Sequence, residues 1–221
     1  MKLTEKVSLR VDLIKRAEVV FWDFDGVIKD SVKVKSDAFE QIFLPFGKEI
    51  AKKIKIHHEI NGGMSRFDKL PIYLDWSGVA PSRHLVDEYA KKFSLLVKQK
   101  VIDSEWVDGI LEYLQNNYKR QQFFLITATP QQEIEDILFQ LKIESYFNEV
   151  LGSPIKKSNA IERLLRQYSI SPENAVMVGD ADSDYQAAQF NNIQFVLRRT
   201  ELNETLQQKL ECQMVCNFQK I

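Results

Sequence analysis

From residue 106 onward, short apolar runs alternate with helical patterns, and this rhythm constrains the fold more than any other feature. "QFFLIT" (122–127), "NEVLGS" (148–153), "NAVMVGD" (174–180) and "IQFVLR" (193–198) are strand-length and rich in β-branched and aromatic residues, and "QMVCNF" (213–218) extends the series. Between them "WVDGILEYLQNNY", "TPQQEIEDILFQL", "KSNAIERLLRQY", "DSDYQAAQF" and "ELNETLQQKL" space their apolar residues by three and four. Strands separated by single helices must cross over, so they pair in parallel with helices on both faces. In "TPQQ", Thr129 fits an N-cap, Pro130 the first helical position and Gln132 a capping box. Asp182 reads as the N-cap of its helix.

One more strand belongs to this sheet. "AEVVFW" (17–22) is too apolar to stand alone. Residues 31 to 105 then lack strand patterns. "SVKVKSDAFEQIF", "KEIAKKIKIHHEI", "SRFDKLPIYL" and "PSRHLVDEYAKKFSLLVKQK" have helical spacing, and Pro45-Phe46-Gly47, Asn61-Gly62-Gly63 and Gly78 to Pro81 break them. The expected architecture is a parallel α/β core, residues 1–30 and 106–221, with an inserted α-helical domain, residues 31–105. Hinges are expected near Asp30–Ser31 and Asp103–Ser104, where the helical pattern breaks.

Open α/β sheets bind ligands beyond the carboxyl ends of their strands. The first strand runs into Asp23 and Asp25, with Gly26 allowing a sharp turn. The second reaches Thr127, the third leads through "GSP" to Lys156 and Lys157, and the fourth ends in "GDADSD" with Asp180 and Asp184. Each element alone is commonplace: Asp pairs are usually solvated, and lysines start helices. In order at successive strand ends, they describe a site. Carboxylates crowded together need protons or a cation. Hard oxygen ligands beside a phosphate favour Mg²⁺. A hydroxyl and an ammonium would hold the phosphate oxygens that the cation does not reach. One aspartate can then attack the phosphorus, and a second carboxyl can serve the leaving oxygen and later the water.

With these residues in place, the sequence resembles the haloacid dehalogenase-like superfamily. "DFDGV" is similar to its first motif, Thr127 in "LITAT" to its second, Lys157 in "KKSNAI" to its third and "GDADSD" to its fourth. The insertion lies where members with a helical cap between motifs one and two carry it. The resemblance implies that the parallel core, residues 1–30 and 106–221, is Rossmann-like and that the insertion, residues 31–105, is an α-helical cap domain. It also implies Mg²⁺ and an aspartyl-phosphate intermediate. By position it assigns Asp23 as nucleophile, Asp25 as acid/base, and Thr127 and Lys157 as phosphate ligands, the choice of Lys157 over Lys156 resting on the family's spacing to Ile161. It assigns the metal to Asp23, Asp180 and the backbone carbonyl of Asp25, with Asp184 in support. Asp25, which the dehalogenases do not need, favours phosphoryl transfer. "NGGMSR" (61–66) resembles the cap loop of the phosphatase and β-phosphoglucomutase branch, and on that analogy Gly63 and Arg66 face the substrate. His57 and His58 form no catalytic or metal constellation in the sequence.

Composition removes other classes. Hydrophobic residues make up 44% and charged residues 28%, which suits a soluble globular chain. A net charge of −1 supplies no basic field for nucleic acid. No apolar run approaches a membrane span of about 20 residues. "MKLTEKVSLRVDLIKR" lacks the apolar stretch of a leader. Cys212 and Cys216, two thiols in an ordinary chain, suit a reducing compartment, and the expected location is cytoplasmic. The expected function is a Mg²⁺-dependent phosphomonoesterase for a small phosphorylated metabolite such as a sugar phosphate. A sugar-phosphate mutase would use the same residues, and a phospho-accepting signalling module would lack the cap and the acid at Asp25.

Overall fold

The computed structural model describes residues 13–219 and 221, so the charged stretch at 1–12 lies outside the described residues. Six parallel strands form one sheet: β1 (Val19–Trp22), β2 (Gln122–Pro130), β3 (Glu149–Ser153), β4 (Ala175–Gly179), β5 (Gln194–Arg198) and β6 (Gln213–Val215). Their order is β3-β2-β1-β4-β5-β6, so β1 is central and the chain reverses direction across it. This is the doubly wound, Rossmann-like α/β architecture, whose crossovers are helical because parallel neighbours cannot be joined by a hairpin.

Both sheet faces are buried, which is why the strands read as continuous apolar runs. On one face Val19, Phe21, Phe124, Ile126 and Met177 pack against Ala160, Ile161 and Leu164 of α7 (Lys157–Gln167) and Ala187 and Ala188 of α8 (Asp182–Phe190). On the other, Val20, Trp22, Phe123 and Leu125 meet Ile110 and Leu114 of α5 (Ile110–Asn117) and Ile134 and Leu138 of α6 (Gln131–Leu141). Trp22 is fully buried and meets the rings of Tyr113, Phe123 and Phe218 edge-on. The last helix, α9 (Glu204–Lys209), precedes β6.

Four helices separate β1 from α5: α1 (Val32–Phe43), α2 (Lys48–Ile60), α3 (Arg66–Trp76) and α4 (Arg83–Asp103). Aromatic side chains tie them together; Phe39 stacks on Phe93 with centroids 4.0 Å apart and meets Tyr73 edge-on. Their apolar residues are continuous with those of the second sheet face. The two passages between sheet and helices are cross-linked. The backbone N–H of Asp30 donates to the Glu105 carbonyl at 2.9 Å, and the buried Lys29 ammonium donates to the Ile102 carbonyl at 2.9 Å and lies over the Trp106 ring.

Local signals differ from expectation at two helix starts. β2 runs through Thr127 and Thr129 as far as Pro130, with an irregularity in its pairing to β3 between Ile126 and Pro130. Thr129 therefore does not cap α6. Pro130 holds the N-cap position with extended ψ, and no Gln132 capping box forms. At α8 the N-cap is Ala181, and Asp182 is the first helical residue. Asp184 does the capping, accepting from the Ala181 N–H at 3.1 Å.

Candidate active site

The strand order places the carboxyl ends of β1, β2 and β4 side by side, and their residues share a cavity. Its wall includes Asp23 and Asp25 after β1, Thr127 and Thr129 in β2, Lys157 opening α7, and Asp180 after β4. Gly63, Arg66 and Lys69 complete it from the helical segment. Carboxylate oxygens of Asp23, Asp180 and Asp184 all lie within 4.8 Å of one another. Gly26 turns the chain out of the site with φ of +77°, and a Cβ there would sit 2.1 Å from Asp180 Oδ2. Glycine is thus required both for the left-handed turn and for the approach of the fourth strand's acid.

Lys157 lies between two of these acids, its Nζ 2.8 Å from Asp23 Oδ1 and 2.6 Å from Asp184 Oδ1. Lys156 is exposed, so Lys157 is the lysine at the site. Burial pushes the Asp23 carboxyl up to about 7; Lys157 opposes that shift, and the charge of Asp184 adds to it. Asp180 is pushed well above the usual carboxylate range by burial and by the charges of Asp23 and Asp184. Burial opposes ionisation of Lys157 too, but Asp184 and Asp23 outweigh it and hold the ammonium above its ordinary value. Among the described residues no protein hydrogen bond reaches the Asp180 carboxylate. Three hard carboxylates, one without a donor, are a ligand set that suits a divalent cation with a preference for oxygen.

Asp25 sits in a different environment. It accepts hydrogen bonds from Ser31 Oγ at 2.6 Å, Thr129 Oγ1 at 3.2 Å and Lys35 Nζ. Burial works to raise its carboxyl, yet the Lys35 charge and these three donors prevail and hold it below the usual value. Two aspartates one residue apart are thus held in opposite protonation preferences by opposite surroundings. Thr127 is buried and accepts from the Thr129 N–H at 3.1 Å, which leaves its own O–H free to donate to a phosphoryl oxygen.

Gly63 and Arg66 do line the cavity. Gly63 is needed for close approach: a Cβ there would lie 1.7 Å from Ser183 Oγ on α8. The Arg66 guanidinium is bound inside the protein, donating to Glu133 Oε2 and Oε1 at 2.8 and 2.5 Å and to Ser94 Oγ at 2.6 Å, and stacking over Phe93. Its fork is thus taken up by protein acceptors. Lys35, Lys69 and His58, the last set aside above as part of no constellation, also line the cavity, and Glu133 holds Arg66. The helical spacing of the inserted segment carries no sign of the strand ends that Lys35 meets.

The fold and the strand-end acids define a class: a Rossmann-like α/β protein with a cluster of carboxylates beyond the carboxyl ends of its central strands. Residues 20–197 match the family model described as haloacid dehalogenase-like hydrolase, and the chain belongs to that family. It is similar to a phosphorylated carbohydrates phosphatase of Thermotoga maritima, 27% identical over 187 residues that cover 80% of this chain and 82% of the relative. It is likewise similar to a phosphoglycolate phosphatase of Pseudomonas putida, 25% identical over 191 residues that cover 80% and 68%. A haloacid dehalogenase-like hydrolase structure from Bacteroides fragilis superposes with a TM-score of 0.73 at 13% identity, covering 92% of this chain and 98% of that one. Within the family, the chain is a phosphatase. No helix among the described residues is long and apolar enough to cross a membrane.

Proposed function

We propose that the chain is a Mg²⁺-dependent phosphomonoesterase acting on a small phosphorylated metabolite through an aspartyl-phosphate on Asp23. The observation that carries this reading is the division of labour between the two aspartates. Asp23 lies with Asp180, Asp184 and Lys157, whereas Asp25 faces Lys35, Thr129 and Ser31. The names of the two relatives, one for phosphorylated carbohydrates and one for phosphoglycolate, support a small substrate. A cytoplasmic location fits such a metabolite.

Asp23, Asp180 and Asp184 would hold the cation, with the Asp25 backbone carbonyl. When bound, it offsets the charge of the phosphoryl oxygens and of the acids around them. Lys157 and the Thr127 hydroxyl orient the phosphoryl group. An Asp23 oxygen attacks phosphorus, and the bond to the leaving oxygen breaks. Asp25, once protonated, gives its proton to that oxygen; its ionised form, the one Lys35 favours here, then takes a proton from the water that hydrolyses the acyl phosphate. Residues 31–105 act as a cap on the core formed by 1–30 and 106–221 and exclude bulk water while the intermediate exists.

The test is quenched turnover of a substrate labelled at phosphorus, with Mg²⁺ present. Wild type carries label on the protein in an acid-stable, base-labile form. Asp23→Asn carries none and releases no phosphate. Turnover of Asp23→Asn within tenfold of wild type would remove Asp23 as nucleophile.

A further inference from the structure

Four strongly basic side chains line the active-site cavity: Lys35, Arg66, Lys69 and Lys157. Three have carboxylate partners. Lys35 is paired with Asp25, Arg66 with Glu133, and Lys157 with Asp23 and Asp184. Lys69 has none among the described residues, although it is fully buried. Its one hydrogen-bond partner is His58 Nδ1 at 2.8 Å. Burial, then the neighbouring Lys69 charge, keep His58 far below its ordinary value, so its ring is neutral and its Nδ1 accepts. An ammonium has three donors, and among the described residues two of those on Lys69 meet no acceptor.

Such an arrangement costs stability. A lysine is almost never fully buried without a partner, and its burial is favourable only if its charge is met. Here burial, followed by the charge of Lys35, pulls the ammonium down to about 7, with Asp25 opposing and Arg66 reinforcing. A glutamine or methionine would fill the same space without that cost. The residue stands one helical turn after Arg66 on α3, in the cavity wall that also holds Asp25.

We infer that Lys69 determines specificity by receiving a second anionic group of the substrate, a carboxylate or a second phosphate, carried a few atoms from the phosphoryl group that is removed. This rests on the phosphatase reading and narrows its substrate class. The anion would supply the missing counter-charge to the buried ammonium and would accept its free donors.

Matched substrates test the inference: 2-phosphoglycolate, ethylene glycol bisphosphate and 2-hydroxyethyl phosphate share a two-carbon frame and differ in the group at the far end. The expected result for wild type is a kcat/KM for at least one of the charged pair about ten- to hundredfold above that for hydroxyethyl phosphate, the scale of a hydrogen bond to a charged group. Preference for phosphoglycolate identifies the anion as a carboxylate, and preference for the bisphosphate as a phosphate. In Lys69→Gln that ratio falls towards one, and in Lys69→Arg part of it returns. Equal handling of all three by wild type overturns the inference, and this comparison needs no variant to fold. A ratio unchanged in a folded Lys69→Gln overturns it as well. Hydrolysis of none of the three, nor of p-nitrophenyl phosphate, would instead defeat the phosphatase reading on which the inference stands.

Discussion

Arg66 and Glu133 form a buried two-pronged ion pair, the first residue of α3 joined to the first turn of α6 at 2.8 and 2.5 Å. One partner comes from the helical segment and the other from the helix that follows β2. The pair therefore fixes how the segment sits over the strand ends, and Ser94 on α4 joins it at 2.6 Å from Arg66. A guanidinium held in this way positions the wall of the site.

Removing either partner leaves a buried charge alone. Arg66→Ala and Glu133→Ala should each lose about 3–5 kcal/mol in denaturant unfolding, and Arg66→Met combined with Glu133→Leu should lose much less. Activity of the single variants should fall alike on p-nitrophenyl phosphate and on a sugar phosphate. A loss confined to the sugar phosphate would return Arg66 to the substrate. The pair also sets an acid limit. Burial tends to raise the Glu133 carboxyl, but Arg66 prevails and holds it below its ordinary 4.5. Its stabilisation is thus complete above pH 4.5 and is lost as the pH falls through the lower folded value. Thermal scans from pH 6 to pH 3 should show a steeper fall in Tm for wild type than for the Met/Leu double variant.

Cation binding should be visible without turnover. Asp23, Asp180 and Asp184 crowd their charge within 4.8 Å, and a divalent ion relieves it. Millimolar Mg²⁺ should raise Tm, with a gain of about 2.7 kcal/mol at a concentration 100 times Kd. Asp180→Asn should abolish most of that gain, and EDTA should silence phosphate release until Mg²⁺ is returned. Equal Tm with and without Mg²⁺ would count against the site.

Asp25→Asn keeps the nucleophile and loses the proton carrier. Alkyl phosphates, with poor leaving groups, should slow by about 10²–10⁴. p-Nitrophenyl phosphate should suffer less in its first step, and labelled acyl-enzyme should accumulate because water is no longer activated. Burst kinetics on both substrates would check this, and equal losses with no burst would argue against an acid/base role.

The unpaired lysine has a thermodynamic signature of its own. Lys69 titrates near 7 in the folded chain and at its ordinary 10.5 when unfolded, chiefly because of burial. Between those values the unfolded chain binds more protons, so rising pH should stabilise wild type through that window. Lys69→Met lacks this contribution, and it should also be the more stable protein at pH 7. The comparison is denaturant unfolding of both at pH 7, 8.5 and 10 in phosphate-free buffer. Parallel curves would mean that the ammonium meets no cost on burial.

The sequence by itself determined the sheet and which residues stand at its strand ends. Strand periodicity and crossover helices leave a parallel sheet as the way to bury "VVFW", "QFFLIT" and "AVMVG", and such a sheet brings Asp23, Thr127 and Asp180 to one edge. These residues were legible because their place follows from chain connectivity. Only the tertiary structure decided what lies opposite them. Thr129 reads locally as a helix cap, yet its hydroxyl binds Asp25, since β2 continues past it to Pro130. Arg66 reads as a free fork, yet Glu133, 67 residues away, occupies it. Lys35 and Lys69 lie in helical patterns that point to no role for them, yet both are buried in the cavity wall. Helical spacing tells which residues share a face, but not which surface that face will meet, because the docking of one packed layer on another depends on contacts between residues far apart in the chain.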